Sequence, residues 1–243
     1  MTSPSLSIII PAYNEERRLP RTLEQIFTFL QEQSYTAEVI VVENGSTDQT
    51  LEIAQKFAEQ HKNLHAIKER QRGKGNAVRR GMLEAKGEYR FLCDADLSMP
   101  IEEVNKFLPP VLDEPAIAIG SREIPGAVRY NEPHYRHLTG RVFNGLINLL
   151  LLPNLQDTQC GFKCFRADVA EDIFPYQTLT GWSFDVEVLF IAQHKGYIIR
   201  EVPINWYYNA DSKISVLQDS WKMFQDLLTI RRNARRGLYD PKN

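Results

Sequence analysis

The fold of this chain is decided around the stretch Phe91-Leu92-Cys93-Asp94-Ala95-Asp96-Leu97-Ser98. Apolar residues from Tyr89 to Cys93 predict a buried strand that delivers two carboxylates to the rim of a sheet. In an open α/β sheet, ligands bind in the crevice beyond the carboxyl ends of the strands. Asp94 and Asp96 therefore suit a hard divalent cation, Mg²⁺ or Mn²⁺, which takes oxygen ligands from protein, phosphate and water. A solvated turn or a helix N-terminus, whose dipole also favours carboxylates, is the alternative.

Upstream of this stretch, short apolar runs alternate with segments of helical period. Strands are predicted over Leu6–Pro11, Glu38–Val42 and Leu64–Ile67, and each is followed by a predicted helix. The second helix has Ser46 and Gln49 at the spacing of a capping box. Four strand-then-helix units in succession predict an α/β protein with a doubly wound, mostly parallel sheet and helices on both faces.

Each predicted strand in this half ends in a polar or glycine-rich loop at the same edge of the sheet. The loop residues expected to converge there are Tyr13, Glu15, Asn44, Asp48, Lys74, Asp94 and Asp96. Lys74 stands between two glycines that permit close backbone approach, so it suits a diphosphate as a point charge. The spacing is not that of a Walker A loop. Ser46, Thr47 and Asp48 are better explained as turn and cap residues.

The second half has fewer regular patterns. A helix is predicted over Pro100–Leu112, a strand over Ala116–Ser121, an irregular loop over Glu123–Arg141 and a last strand over Ile198–Pro203. Four arginines lie in or beside the irregular loop, and arginine suits phosphate through paired hydrogen bonds. They are Arg122, Arg129, Arg136 and Arg141. A solvated surface loop is the alternative for each of them.

Two apolar helices are predicted downstream. The segment Val142–Leu152 is too short to span a bilayer; its composition favours a core helix over an interfacial one. A final helix over Val216–Arg236 ends in four arginines, which suits either anionic lipid headgroups or the dipole of a plain terminal helix.

The bulk composition excludes several classes of protein. The 243 residues are 43% hydrophobic and 25% charged with a net charge of −2, which is typical of a folded domain and gives no indication of nucleic-acid binding. The three cysteines, Cys93, Cys160 and Cys164, lack zinc-site spacing and are expected to be reduced. The sequence contains no apolar run of spanning length and no recognisable leader, so we expect a soluble or peripheral protein.

Taken together, several segments resemble the family-2 glycosyltransferases of GT-A fold, and within them the polyprenyl-phosphate branch, closest to dolichyl-phosphate glucosyltransferases. The matching segments are residues 10–15, 42–48, 72–75, 94–96, 120–122, 157–163 and 201–203. Residues 159–163 together with residues 182–187 resemble the glucosyl branch more closely than the mannosyl one. The resemblance implies one GT-A domain over residues 1–236, with a nucleotide-sugar half (1–98), an acceptor half (99–214), a C-terminal amphipathic helix (215–236) and a tail (237–243).

The resemblance also implies roles for individual residues. Those expected to bind the donor are Pro11, Tyr13, Asn14, Glu15, Asn44, Lys74, Asp94, Ala95 and Asp96. Asp94 and Asp96 would bind a divalent cation, Mg²⁺ or Mn²⁺. The acceptor phosphate would be bound by Arg122, Arg136 and Lys213, and the expected catalytic set is Asp94, Asp96, Arg122 and Arg136.

The implied activity is inverting transfer of a hexose, foremost glucose from UDP-glucose, to a polyprenyl or dolichyl phosphate. The enzyme would be peripheral at the cytoplasmic membrane face, where a membrane-anchoring partner protein is compatible with it. An acceptor phosphate is already ionised at neutral pH, so catalysis would rest on positioning and charge stabilisation, with Asp185 and Glu187 structural. The alternatives are a GDP-mannose-dependent mannose synthase, a soluble transferase that uses Asp185 or Glu187 as a base for a hydroxyl acceptor, a non-catalytic nucleotide-sugar-binding protein, and a nucleotidyltransferase.

Overall fold

A mixed sheet between two layers of helices forms the body of the protein. The computed structural model describes residues 3–209 and 216–240, and for residues 216–220 it describes the backbone. The strands are β1 (Leu6–Ala12), β2 (Ala37–Glu43), β3 (Leu64–Lys68), β4 (Tyr89–Leu92), β5 (Ile117–Ser121), β6 (Val128–Tyr130), β7 (Lys163–Arg166), β8 (Ile199–Pro203) and β9 (Asn205–Tyr207). The α-helices are α1 (Leu19–Gln31), α2 (Thr50–Gln60), α3 (Lys74–Glu84), α4 (His134–Leu150), α5 (Ala167–Ile173), α6 (Phe184–His194) and α7 (Val216–Arg235).

The strand order places the ends of β1, β2 and β4 side by side. Within the described residues, seven strands pair in the order β3-β2-β1-β4-β7-β5-β8, and β6 pairs with β9 in a separate two-stranded sheet. All the pairs in the larger sheet are parallel except those of β7, which is antiparallel to both β4 and β5. The chain order reverses between β1 and β4, which is the switch point where open α/β sheets bind ligands. The predicted fold class is confirmed.

Alternate residues of the central strands face opposite helical layers. Ile8 and Ile10 belong to a buried cluster with Leu23 and Ile26 of α1. Ile9 belongs to the opposite cluster, with residues of α3, α5 and α6. The central strands are therefore buried on both faces, which explains their mostly apolar sequences.

The structure corrects several predicted elements in the loops and the second half. The strand β7 was not predicted, because Lys163 and Arg166 bound only two apolar residues. The predicted helix over Pro100–Leu112 is a 3₁₀ helix over Ile101–Phe107. The segment predicted to be irregular, Glu123–Arg141, contains β6 and the first two turns of α4.

The predicted capping box is also wrong. The hydroxyl of Ser46 accepts a hydrogen bond from the backbone amide of Asn14 at 3.1 Å and so serves the loop after β1. The carboxylate of Asp48 instead accepts from the backbone amide of Thr50, where α2 begins.

The apolar segment predicted as a core helix is buried along one face only. Ile147, Leu151 and Leu152, at the end of α4 and just beyond it, are buried in the core. The opposite face of α4 exposes a stripe of large apolar side chains, Tyr135, Leu138, Val142 and Leu149. Within the described ranges, no helix has both the length and the apolar character needed to cross a bilayer.

A close contact between α3 and β1 provides a test of the packing. A Cβ added at Gly81 of α3 would lie 2.4 Å from Cγ2 of Ile9, whereas one at Gly145 of α4 would meet no atom within 4 Å. Gly81→Ala is therefore expected to lower the free energy of unfolding in urea by about 1–3 kcal/mol. The matched variant Gly145→Ala should be neutral or stabilising by up to ~1 kcal/mol, because alanine is the better helix former. Equal effects of the two changes would contradict the packing described.

Candidate active site

A cavity of about 730 Å³ opens beyond the carboxyl ends of β1, β2 and β4. Most of the predicted site residues line it, namely Pro11, Tyr13, Glu15, Asn44, Lys74, Asp94, Ala95, Asp96, Arg122 and Arg136. Asn14 is not among the described residues that line it, and Lys213 lies outside the described residues. One cavity thus brings the two carboxylates together with the loop that carries Lys74 and with all four predicted arginines, Arg122, Arg129, Arg136 and Arg141.

Lys74 and Asp94 form the central ion pair of the cavity. The ammonium nitrogen of Lys74 lies 2.7 Å from Oδ1 of Asp94 and 5.0 Å from the centre of the Trp182 ring. Burial alone would lower the pKa of Lys74, but the carboxylates of Asp94 and Asp185 outweigh it and raise that pKa. Burial alone would raise the pKa of Asp94, but the positive charge of Lys74 outweighs burial, so that pKa is lowered. Both side chains are therefore held in their charged forms.

Gly161 fixes the place of the Asp94 carboxylate. A Cβ at position 161 would lie 2.0 Å from Oδ2 of Asp94, so glycine is required for this close approach. Gly161 precedes β7, the antiparallel strand beside β4. The residues that lead into the unpredicted strand thus lie directly against the Asp94 carboxylate.

The negative charge of Asp96 has a more distant positive partner than that of Asp94. Its Oδ1 accepts a hydrogen bond from the backbone amide of Ser98 at 3.1 Å, and its Oδ2 lies 3.9 Å from Arg18. Burial and the neighbouring Asp94 raise its pKa. A nearby cation would favour its charged form.

The two carboxylates fit a divalent cation that shares its ligands with a substrate. Within residues 3–209 and 216–240, no group of three or more His, Cys, Asp or Glu side chains is placed to hold a metal alone. A cation beside Asp94 and Asp96 would therefore need oxygens from a phosphate ligand and from water, which is how Mg²⁺ is usually bound. The carboxylates of Asp94 and Asp96 therefore match a cation whose remaining ligands come from the substrate and from water.

Asn44 and Asn14 organise the loops around the cavity. Oδ1 of Asn44 accepts from the backbone amide of Gly73 at 2.6 Å, and its Nδ2 donates to the carbonyl of Gln71 at 2.5 Å. Asn44 therefore holds the loop that carries Lys74. Oδ1 of Asn14 accepts from the amide of Thr47 at 2.8 Å, which ties the loop after β1 to the loop after β2.

The arginines on the far side of the cavity are held by acidic and aromatic partners. Arg122 binds Asp157 through two nitrogens, at 2.6 Å and 2.9 Å, and its guanidinium lies 5.3 Å from the centre of the Trp206 ring. Burial alone would raise the pKa of Asp157, but the positive charge of Arg122 outweighs burial, so that pKa is lowered. Arg136 donates to the hydroxyl of Tyr208 at 2.9 Å. The two guanidinium groups thus have defined orientations in the cavity wall.

Asp185 and Glu187 have different surroundings, although they are two residues apart. Asp185 lines the cavity and its Oδ1 lies 3.1 Å from the ammonium of Lys163; among the described residues that oxygen has no hydrogen-bond partner. Burial raises the pKa of Asp185. Glu187 is fully buried and accepts hydrogen bonds from Thr178, Leu179 and Tyr239. The structural role predicted for Glu187 agrees with these contacts.

Several partners of the site residues were not predicted as site residues. They are Arg18, Asp157, Lys163, Trp182 and Trp206. Asp157 and Lys163 lie at the two ends of the segment 157–163, whose resemblance to a family motif was the one available signal. The local sequence contains no pattern that pairs Arg122 with a residue so far along the chain.

Comparison with known proteins gives a consistent family. The description "Glycosyl transferase family 2" matches residues 7–174. The chain is 34% identical over 254 residues to dolichyl-phosphate beta-glucosyltransferase of Saccharomyces cerevisiae, covering 96% of this chain and 76% of the relative. It is 34% identical over 243 residues to the Homo sapiens protein of the same name, covering 93% and 74%.

Among solved structures, the fold is similar to that of glucosyl-3-phosphoglycerate synthase from Mycobacterium tuberculosis in complex with Mn²⁺ and uridine-diphosphate-glucose. The TM-score is 0.66 at 18% identity, over 93% of this chain and 79% of the other. At that identity, the likeness concerns the fold.

The buried Arg122–Asp157 pair predicts a pH dependence of stability. The folded pKa of Asp157 lies below its unfolded value of about 4. The stabilisation by the pair is therefore fully present above that pH and is lost as the pH falls through the folded pKa. Asp157→Asn should lower the free energy of unfolding at pH 7 by about 3 kcal/mol, because it leaves a buried cation unpaired. The difference in free energy of unfolding between this variant and the unaltered protein should become smaller below pH ~4.

The matched control is Asp168→Asn, which removes an equally bidentate but exposed pair with Arg166. It should cost less than about 1 kcal/mol, because exposed pairs contribute little. Urea unfolding of the three proteins between pH 3 and pH 7 measures both effects. The assignment of Arg122 and Asp157 as a stabilising buried pair would be contradicted by equal losses of unfolding free energy in the two variants. It would also be contradicted if the loss in Asp157→Asn did not change with pH.

Proposed function

Because the chain belongs to glycosyl transferase family 2, we propose that it transfers glucose from UDP-glucose to a polyprenyl or dolichyl phosphate, with inversion and with a divalent cation. One observation carries the proposal: a single cavity joins Lys74, Asp94 and Asp96 to Arg122 and Arg136. The relatives in yeast and human, similar over more than nine-tenths of this chain, are named dolichyl-phosphate beta-glucosyltransferases.

The donor would occupy the side of the cavity formed by the loops after β1, β2 and β4. Pro11, Tyr13, Glu15 and Asn44 would surround the nucleoside, and Lys74 would contact the diphosphate as a point charge. Asp94 and Asp96 would hold Mg²⁺ or Mn²⁺, and the bound cation would neutralise the leaving nucleoside diphosphate as a Lewis acid. Crystals of the similar Mycobacterium tuberculosis synthase contain Mn²⁺ and uridine-diphosphate-glucose.

The acceptor phosphate would bind at Arg122 and Arg136, with Lys213 as a third candidate. Asp157 orients Arg122, and Tyr208 orients Arg136, so the fork of donors is set before the acceptor arrives. A phosphate oxygen would form the new bond to the anomeric carbon from the side opposite the diphosphate. The bond to the diphosphate breaks, and its electron pair leaves with the nucleotide. The chain's contribution is position and charge, since the nucleophile is already ionised.

The proposed location is peripheral, at the cytoplasmic face of a membrane, with a separate anchoring protein compatible with it. The stripe on α4 formed by Tyr135, Leu138, Val142 and Leu149 supports it, because these side chains are between 67% and 81% exposed. Arg136, Arg141 and Asn144 of the same helix line the cavity. A helix with one apolar and one basic face suits the interface between headgroups and acyl chains.

A second candidate is transfer to a hydroxyl acceptor. It is favoured by Asp185, which lines the cavity with a raised pKa as a general base would. Asp185→Asn separates the two candidates. Transfer to a hydroxyl would be lost in this variant, whereas transfer to a lipid phosphate needs no base.

The proposed reaction is tested by transfer of labelled glucose from UDP-glucose to a short polyprenyl phosphate, with and without Mn²⁺. Label should enter an organic-soluble, mild-acid-labile product, and Asp96→Asn should slow the transfer by roughly 100-fold because cation binding is weakened. Asp113→Asn, a change at an exposed carboxylate, is the control. Label entering only from GDP-mannose would support the mannosyl alternative, and no metal-dependent transfer from either donor would refute the proposal.

The proposed location is tested by flotation with vesicles that contain anionic lipid. The triple variant Leu138→Gln, Val142→Gln and Leu149→Gln should bind vesicles at least several-fold more weakly, because it removes apolar area from the stripe. The control carries Val111→Gln and Ile198→Gln, two exposed apolar side chains elsewhere. Equal vesicle binding by the stripe variant and the control would contradict this orientation.

A further inference from the structure

The loop that carries Lys74 is shaped by the neighbouring segment 177–180. Gly73 has φ +130°, and a Cβ there would lie 2.3 Å from the carbonyl oxygen of Thr180. The backbone amide of Gly75 donates to that same oxygen at 2.8 Å. Nε2 of Gln177 donates to the carbonyl of Gly75 at 2.9 Å. Both residues beside Lys74 are therefore fixed by backbone and side-chain atoms of this segment.

The segment 177–180 is in turn held by the buried carboxylate of Glu187. Oε2 of Glu187 accepts from the backbone amides of Thr178 and Leu179, at 2.9 Å and 2.7 Å. Its Oε1 accepts from the hydroxyl of Thr178 at 2.5 Å. A fully buried carboxylate is costly unless donors surround it. Three of the donors come from the segment, so the segment and the carboxylate hold each other in place.

The last donor to Glu187 comes from beyond the end of α7. The hydroxyl of Tyr239, a fully buried residue, donates to Oε1 of Glu187 at 2.7 Å. Nδ2 of Asn233 bridges the hydroxyls of Thr178 and Tyr239, at 3.1 Å and 3.3 Å. The C-terminal part of the described chain is thereby joined to the segment that shapes the Lys74 loop.

A second bond from α7 reaches the residue next to Trp182. The hydroxyl of Ser183 donates to Oδ2 of Asp226 at 2.7 Å. The ring of Trp182 lies 5.0 Å from the ammonium of Lys74. The C-terminal elements therefore reach Lys74 by two routes, one through its backbone neighbours and one through its aromatic contact.

We infer that Glu187 and Tyr239 are positioning residues for Lys74, and that they hold its ammonium where the donor diphosphate binds. The inference rests on the proposed function, because Lys74 is taken there to contact the diphosphate. Neither residue lines the cavity, so an effect on nucleotide binding would be indirect, and their hydrogen bonds lead to Lys74 through the segment 177–180. A merely structural role would change stability without changing nucleotide affinity through Lys74.

The test is calorimetric titration of the whole chain with UDP, and separately with GDP, in the presence of Mn²⁺. Tyr239→Phe keeps the buried ring and removes one hydroxyl donor, so the variant should fold. It should weaken nucleotide binding by roughly 3–10-fold. This is less than the full contribution of a hydrogen bond to a charged group, because the lost bond to Glu187 affects binding only indirectly. Glu187→Gln should weaken it further, since the amide presents a donor to the amides of Thr178 and Leu179. Tyr197→Phe, which removes a hydroxyl bonded to Asp172, is the matched control and should leave affinity unchanged.

A double-mutant cycle with Lys74→Met decides whether the effect passes through Lys74. In that background Tyr239→Phe should change nucleotide affinity by less than about 1.5-fold, because the ammonium it positions is gone. Urea unfolding at the same temperature verifies that each variant is folded. The same loss of affinity with and without Lys74, or no loss in Tyr239→Phe while Lys74→Met weakens binding, would overturn this inference alone. If the unaltered chain binds neither nucleotide, the proposed function is overturned and this inference with it.

Discussion

The need to pair charges that have lost much of their water shapes the whole cavity. Three cationic side chains are paired in this way. The carboxylates of Asp94, Asp157 and Asp185 lie within about 3 Å of Lys74, Arg122 and Lys163, respectively. An unpaired charge in such a place costs several kcal/mol. The pairing is uneven, however. The pKa values of Asp94 and Asp157 are lowered, whereas those of Asp96 and Asp185 are raised because burial outweighs their partners. Additional positive charge would therefore be stabilising beside Asp96, where the proposed cation shared with a diphosphate would lie.

The first half of the fold was predictable because each of its signals is local. The strands β1, β2 and β4 are largely apolar, since both faces of the sheet are covered by helices. Each one ends abruptly in polar residues. Parallel strands bring those ends to one edge, so the proximity of Tyr13, Asn44 and Asp94 followed from topology without any measured distance. The predicted fold class and the shared cavity were therefore accessible from the sequence.

In the second half, the strands β5 and β8 and the helix α7 were predicted, but other features were not, because their decisive contacts are distant in sequence. The strand β7 joins the sheet through pairs such as Phe91 with Cys164, and its own residues show no strand-like period. Asp157 and Tyr239 reach Arg122 and Glu187 from segments that no periodicity connects to them. The first amide of α2 likewise donates to Asp48 rather than to Ser46, because the loop after β1 uses the Ser46 hydroxyl. Burial of a polar side chain is decided by such tertiary partners rather than by its neighbours in the chain.

The helix α4 shows why composition alone predicted only part of one element. The apolar residues of Val142–Leu152 were expected to be in the core, yet Val142 and Leu149 face outward, as does Leu138 one turn earlier. Arg136 and Asn144 face the cavity. A substrate with a charged head and an apolar tail requires a polar cavity that opens beside an apolar surface. A single helix meets that requirement when its two faces differ in this way, because residues three and four apart share a face. For a soluble acceptor the exposed stripe would have no use, and apolar side chains in contact with water would only favour aggregation.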